Sequence, residues 1–383
     1  MRPPETVTIQ LLREWPPGYG GVERVAHELA VAWQAMGREV RTYCLQGPGR
    51  PPVSDPLPVN YHRLHLPRLA FGQLLLPLPS RQLIRLVVTS DPLHVHLPCP
   101  ALLAVCVVAR VLRPRRWIRL HWHAFLEPGA GPGGRLVAVY QWLALRWAAA
   151  EADQVVTTSP VLATALIAEG VKPQCLVVLP CCLGECQERQ ADAAWERRVA
   201  RGPRQDGDPF RLLYVGRLDS YKRVEWLIAA FPASGAEELH VVGEGPRRRE
   251  LEMLAACSSH GGHVIFHGRL NERQKQQLLE TSDLLVLPAD RSNEAFGIVQ
   301  LEAMACGVPA LAFGRERSGM AWVGNLAAVF GRPDARPDEL PQIVASLVHD
   351  PDLWAKASLA ARQRFMLLFS RRVWKQGLEA LLP

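Results

Sequence analysis

Between Asn293 and Pro309 the chain carries two carboxylates, Glu294 and Glu302, with seven residues between them: Asn-Glu-Ala-Phe-Gly-Ile-Val-Gln-Leu-Glu-Ala-Met-Ala-Cys-Gly-Val-Pro. Glu294 lies just before a predicted helix and Glu302 two turns inside it, and Gly307 and Pro309 stop that helix. The apolar run Leu284-Leu285-Val286-Leu287-Pro288 just upstream reads as a buried strand, so Glu294 falls at that strand's carboxyl end. Open α/β sheets bind their ligands there. Gly297 lets a backbone come close, and the free N–H groups of the helix that starts around it favour an anion. An anionic ligand with hydroxyl groups, such as a nucleotide sugar, suits this geometry. A solvated Glu at a helix start plus one surface Glu is the plain alternative, and both readings stand at this point.

Cations follow another strand-like run, in Gly216-Arg217-Leu218-Asp219-Ser220-Tyr221-Lys222-Arg223. Arg217 and Lys222, beside a strand end, suit a diphosphate whose charge must be neutralised as it departs; a basic surface loop is the alternative. Two His-x-His pairs, His94-Val95-His96 and His121-Trp122-His123, end strand-like segments. Residues i and i+2 share a strand face, so each pair turns two imidazoles to one side. No carboxylate or Cys at fitting spacing completes a zinc set, so no metal site is expected. A His at such a strand end can donate to a substrate hydroxyl or simply fill a polar gap in the core; substrate contact is expected for His123 and a structural role for His94. Gly20-Gly21 before a helix allows close approach and anion contact, or else forms an ordinary left-handed turn. Gly243-Glu244-Gly245-Pro246 reads either as a phosphate-adjacent turn or as a structural tight turn.

These residues need elements to position them. Strand-like and helix-like stretches alternate through both halves, as in doubly wound α/β domains. In the first half the strands are Val7–Leu12, 41–45, 93–97, 117–120, 154–158 and 175–179; Val22, Val25, Ala26, Leu29, Trp33 and Met36 mark a helix closed by Gly37. Residues 184–209 are polar and poor in apolar periodicity, which predicts an interdomain connection. Strand signals resume at 210–216, 239–243, 264–268 and 283–287.

With 383 residues the chain is long for one core and predicts two domains. Residues 1–180 hold 18 Lys+Arg against 11 Asp+Glu, and the remainder holds 26 of each, so all of the +7 net charge lies in the first half. An anionic membrane or a phosphorylated substrate fits this excess; nucleic acid ranks lowest, because no nucleic-acid motif accompanies it. The densest basic stretch is Arg113-Pro114-Arg115-Arg116-Trp117-Ile118-Arg119. Nine cysteines at irregular spacings, with no Cys-x-x-Cys, predict a reduced, cytoplasmic compartment. The amino-terminal segment lacks a signal-peptide shape, and the longest apolar run, 101–112, is interrupted by Arg110 and too short to span a bilayer.

In sequence the chain resembles the retaining glycosyltransferases of the large nucleotide-sugar family with the GT-B fold, which includes bacterial mannosyl-, glucosyl- and rhamnosyltransferases of lipopolysaccharide and O-antigen. The resemblance covers essentially the whole chain. It rests on Gly20-Gly21-Val22-Glu23-Arg24, Asp91 to His96, His121-Trp122-His123, Gly216 through Lys222, Val242 to Pro246, Phe266 to Leu270, and Glu294 to Glu302. It implies two Rossmann-like domains facing each other across a cleft: an acceptor-binding domain over 1–182, a connection over 183–209, a nucleotide-sugar domain over 210–364, and a carboxyl-terminal helix, 365–383, packing back toward the first domain. It places Glu294 against donor sugar hydroxyls, Glu302 on the ribose, Arg217 and Lys222 on the diphosphate, and Gly20 and Gly21 near that diphosphate. His123 would touch the donor sugar. Gly268, Arg269 and Leu270 would line the base pocket, chiefly through backbone groups; backbone amides around Ser318 and Gly319 would lie near the sugar and phosphate, and Phe296 and Gly297 would also bind substrate.

The implied reaction is metal-independent hexosyl transfer, without a cofactor, from a GDP- or UDP-sugar to a lipid-linked or lipopolysaccharide acceptor, on the inner face of the inner membrane. Departures from the family pattern are Ala124 after His123, the acidic residue displaced to Glu127, Cys181-Cys182-Leu183-Gly184 in place of an Asn-Gly turn, and the segment 315–323, which resembles a mannosyl- or rhamnosyltransferase variant. A nucleotide-sugar epimerase on the same fold and a non-catalytic basic membrane-binding protein are the rival readings.

Overall fold

The computed structural model describes residues 7–16, 20–46, 60–71, 74–202, 204–205, 207–258, 263–331 and 335–379. The chain divides into two compact units, with the break between Pro180 and Cys181. In the first unit the strands are β1 (Val7–Leu12), β2 (Glu39–Cys44), β3 (His62–His65), β4 (Arg68–Phe71), β5 (Leu74–Pro77), β6 (Leu93–Leu97), β7 (Ile118–Trp122), β8 (Gln154–Thr157) and β9 (Leu176–Val178). Seven of them form one parallel sheet in the order β3-β2-β1-β6-β7-β8-β9, while β4 and β5 make a separate antiparallel ribbon. Helices α1 (Gly21–Ala35), α2 (Arg81–Val88), α3 (Pro100–Leu112), α4 (Pro132–Glu151) and α5 (Pro160–Ala168) connect the strands. A parallel sheet covered on both faces buries whatever its strands carry. All five residues of β7, including Arg119 and His121, are buried accordingly.

The second unit carries β10 (Arg211–Val215), β11 (Glu238–Val242), β12 (Val264–Gly268), β13 (Leu284–Leu287) and β14 (Ala310–Ala312), parallel and in the order β12-β11-β10-β13-β14. Its helices are α6 (Glu185–Arg201), α7 (Val224–Ala230), α8 (Arg248–Ala256), α9 (Glu272–Thr281), α10 (Ile298–Ala305), α11 (Met320–Gly324), α12 (Leu340–His349), α13 (Pro351–Leu368) and α14 (Arg371–Glu379). Phe210, Leu212, Tyr214, Leu239, Leu284, Val286 and Leu311 fill its core. In each sheet the strand order reverses beside the first strand of its unit, between β1 and β6 and between β10 and β13. Such switch points leave a crevice outside the strands' carboxyl ends.

Within the span expected as the interdomain connection, α6 occupies Glu185–Arg201 and packs on α9 and α10. Its buried face is Ala191, Ala194 and Arg198, so apolar periodicity gives no signal. Arg198 anchors it through the carbonyls of Cys306 (3.1 Å), Glu280 (3.0 Å) and Ser282 (2.9 Å), and its guanidinium lies over Trp354. The boundary expected at 364 falls inside α13, and in α14 the Arg371 side chain donates to Leu183 O at 3.1 Å. The basic stretch 113–119 is not a surface patch throughout. Arg116 and Arg119 are buried, and Arg116 donates to Asp91 O (2.7 Å) and Leu86 O (2.6 Å).

Candidate active site

At the switch point of the second unit, the loop after β10 and the loop after β13 are stitched together. Asp290 N donates to Tyr221 O at 3.0 Å, Arg223 pairs with Asp290, and Lys222 pairs with Glu294. Lys222 is buried, and Glu294 keeps only a minor share of its surface. Burial works to lower the Lys222 pKa, but Glu294 first and Tyr221 next outweigh it, so the net shift is upward and the ammonium stays charged. A third loop closes on the same place. Ser318 Oγ donates to Glu294 O at 2.6 Å, and Gly319 N donates to Ala295 O at 2.8 Å. Lys222, Glu294, Ser318 and Gly319 are therefore brought together. Arg217 stands on the same β10 loop, 75% exposed, 3.2 Å from Asp219.

Gly297, with φ 72, ends this loop and caps α10; Leu287 and Gln300 crowd the space a side chain would take. The Phe296 ring is buried edge-on against Phe369, 5.9 Å between centroids, so this residue offers a ligand only its backbone. Glu302 takes a different partner. It faces Lys275 of α9 at 2.9 Å, beside a recess lined by Leu183, Gln187, Gln190 and Gln276. Lys275 had no motif to mark it.

The carboxyl ends of β10, β11 and β12 interlock through backbone. Gly216 N donates to Val242 O (3.0 Å) and Gly243 N to Gly268 O (2.8 Å). Gly243 has φ 138, and a Cβ there would lie 1.8 Å from Gly216 O. Its glycine is thus required by close approach of two strand ends, which favours the tight-turn reading. Gly268 is buried, Arg269 exposed and Leu270 half-buried beside it.

In the first unit, Gly20 is extended (φ −79) rather than left-handed, and it caps α1 without a side-chain bond. The Glu23 carboxylate folds back over it, at the position where a Gly20 side chain would stand, and Gly21 opens the helix. Burial raises the Glu23 pKa, against its own backbone N–H. A carboxylate of the chain thus occupies the anion position of this helix terminus.

The four histidines converge on one face of the sheet. His94 packs on Trp33 at 4.4 Å and pairs with His121 at 3.1 Å, a structural placement. His123 Nε2 lies 2.9 Å from His96 Nδ1, and His96 Nε2 lies 3.0 Å from Gln10 Oε1. Burial first, and neighbouring cations and imidazoles second, hold His94, His96 and His121 well below the usual imidazole value. Burial lowers His123 to about 4. Gln10, missed in the sequence reading, is marked only by being polar within an apolar strand.

No group of three His, Cys, Asp or Glu among the described residues forms a metal cluster. The chain contains two Asp-x-Asp strings, 206–208 and 350–352. Asp350 caps α13 by accepting from Leu353 N at 2.8 Å, and Asp208 accepts from Gln205 N at 2.9 Å; Asp206 lies outside the described residues.

Residues 20–182 match the family model for a glycosyl transferase 4-like domain, and residues 197–364 that for glycosyl transferases group 1. The chain is 34% identical over 127 residues to an uncharacterized glycosyltransferase of Methanocaldococcus jannaschii, 32% of either chain. It is 28% identical over 296 residues to the O-antigen chain mannosyltransferase C of Escherichia coli, 75% of this chain and 74% of that protein. The match to the first curated relatives spans 32% to 42% of their length. Among solved structures, Alr3699/HepE of Anabaena in complex with UDP superposes with a TM-score of 0.71 at 17% identity, covering 98% of this chain and 99% of that one, a likeness of fold.

Proposed function

Because the chain belongs to the glycosyl transferases group 1 family, we propose that it moves a hexose from a GDP- or UDP-linked donor to a lipid-linked or lipopolysaccharide saccharide, with retention at the anomeric carbon. The observation that carries this reading is the buried Lys222–Glu294 pair at the carboxyl ends of β10 and β13. A diphosphate sugar needs a fixed cation for its leaving group and a fixed acceptor for its hydroxyls. Lys222 meets the first need and Glu294 the second, and their mutual pairing holds both side chains in place before a ligand arrives.

In the proposed step the anomeric C–O bond to the diphosphate breaks and its electron pair goes to the phosphate oxygen. Lys222 neutralises that charge, aided by Arg217. The acceptor hydroxyl attacks from the same face, and its proton passes to the departing phosphate. Fixed cations perform this without a divalent metal. Glu302 on the ribose, and Gly268 to Leu270 on the base, complete the donor assignment. The E. coli mannosyltransferase supports a role in surface polysaccharide synthesis.

Attachment to a membrane belongs to the same reading. No helix among the described residues is long and apolar enough to cross a bilayer. On the β4–β5 ribbon, Leu69 opposes Leu76 and Phe71 opposes Leu74, so all four point to one face, and each is between 41% and 62% exposed. Residues 56–126 hold nine Arg, all but the buried Arg116 and Arg119 outside the core, and a single acidic residue, Asp91. An apolar face in so basic a setting fits an anionic lipid surface.

The function is tested by assaying nucleotide release and product configuration in the wild type, Lys222→Met and Glu294→Gln. Each variant should lose roughly a hundredfold in kcat. The wild-type product should keep the donor's anomeric configuration by NMR, and EDTA should leave activity in place. Turnover within twofold of wild type in both soluble variants would remove the site, inversion would remove the retaining step, and loss with EDTA would remove metal independence.

A further inference from the structure

We propose that Gln10 and His96 are positioning residues that lock His123 in a single tautomer, protonated at Nε2, so that His123 meets a substrate hydroxyl as a hydrogen-bond acceptor through Nδ1. The sequence reading had this residue as a donor; the geometry reverses its polarity.

The assignment starts from the one group in the chain of contacts whose chemistry is fixed. Gln10 Nε2 donates to Ala26 O at 3.1 Å, and a carbonyl can only accept, so the amide orientation is set. Gln10 Oε1 is then the acceptor that lies 3.0 Å from His96 Nε2, and that nitrogen must carry the proton. His96 is fully enclosed and its pKa is driven far down by burial, so it is neutral and its Nδ1 has a bare lone pair. That lone pair lies 2.9 Å from His123 Nε2, which therefore donates to it. His123 is neutral as well, lowered to about 4 by burial, and its remaining nitrogen, Nδ1, carries the lone pair. Among the described residues none donates to that nitrogen.

Three adjacent strands hold the relay. Gln10 is on β1 and His96 on β6, whose pairing brackets the switch point of the sheet, and His123 directly follows β7. His96 stacks on His121 at 4.5 Å and 10°, which fixes its ring plane, and His123 N donates to Leu97 O at 3.0 Å, which fixes the backbone of the last member. The relay ends on the carbonyl of Ala26 inside α1, so the orientation of His123 is tied to the helix that follows Gly20-Gly21. A hydroxyl that reaches His123 is selected for its ability to donate. An acceptor-only group in the same place, such as an ether or a phosphate oxygen, meets a lone pair and is disfavoured.

The tautomer is read in ¹⁵N-histidine-labelled, substrate-free protein by long-range ¹H–¹⁵N correlation at pH 7, with His123→Gln to identify the His123 signals. The expected pattern is a protonated Nε2 and a bare Nδ1 on both His96 and His123. A protonated Nδ1 on His123, or an imidazolium on either residue, would overturn the relay. Gln10→Met keeps the volume and removes the acceptor. It should give His123 a mixed tautomer, and lower kcat about tenfold, the worth of one hydrogen bond, with donor KM within twofold. Gln10→Met with an unchanged His123 pattern would also overturn it. This inference rests on the transferase reading only for its kinetic arm. A failed tautomer pattern removes the relay and leaves sugar transfer standing; absence of transfer with the expected pattern does the reverse.

Discussion

A buried lysine normally sheds its proton, since burial disfavours the charged form. Lys222 keeps its proton because Glu294 and Tyr221 outweigh burial and move its pKa up. Its sign follows: a raised folded-state value means that the pair's contribution is complete below the unfolded lysine value and is lost only as alkaline pH passes the folded one. Lys222 is thus charged throughout the neutral range, as a leaving-group partner must be. Arg217 differs in kind. It is 75% exposed, and its pairing with Asp219 is a surface contact worth about 0–1 kcal/mol. Arg217→Ala should therefore leave the melting temperature unchanged while lowering kcat tenfold or more, toward roughly a hundredfold, if it acts on the departing phosphate. Unchanged kcat in this variant would leave Lys222 as the working cation.

At the scale of elements, the strands were legible because parallel strands buried on both faces are runs of apolar residues, as in β1, β10 and β13. The loops at their carboxyl ends were legible too, because motif residues cluster there. Helix α6 was not: its buried face is two alanines and an arginine whose partners are carbonyls over 80 residues away in sequence. The β4–β5 ribbon escaped notice because its apolar face meets no core, and Gln10 because, with only Thr8 two places before it on the same strand, it belongs to no motif. The histidine face has a consequence for stability. All four imidazoles have depressed folded-state values, so unfolding takes up protons as pH falls below 6.5, through about 4 for His123. Each contributes up to about 1.4 kcal/mol of lost stability per pH unit in that window. Thermal melts between pH 7.5 and 4.5 should fall steeply below pH 6.5, and His121→Gln should flatten the fall. A melting temperature independent of pH across that window would contradict the neutral assignment.

For the whole molecule, charge and apolar exposure coincide in one stretch, the residues from 56 to 126, where seven of nine arginines lie outside the core beside the ribbon's bare face. The double variant Phe71→Glu and Leu76→Glu changes only that face, so fold and activity on a short soluble acceptor should persist. Flotation with anionic vesicles should occur in the wild type at low salt, weaken by screening over about 10 Å at 0.1 M salt, and be lost in the double variant. Flotation equal to the wild type would put any membrane contact elsewhere. The central claim, that the Lys222–Glu294 switch point holds a nucleotide-diphosphate sugar, is tested most directly by binding. A panel of UDP-, GDP- and ADP-hexoses is added to the wild type and to the Lys222→Met/Glu294→Gln double variant, and melting temperatures are recorded. A ligand at a hundred times its Kd stabilises the folded state by about 2.7 kcal/mol, so at least one sugar should raise the wild-type melting temperature by several degrees, and the double variant should lose most of that rise. No shift with any sugar, or an equal shift in both proteins, would contradict it.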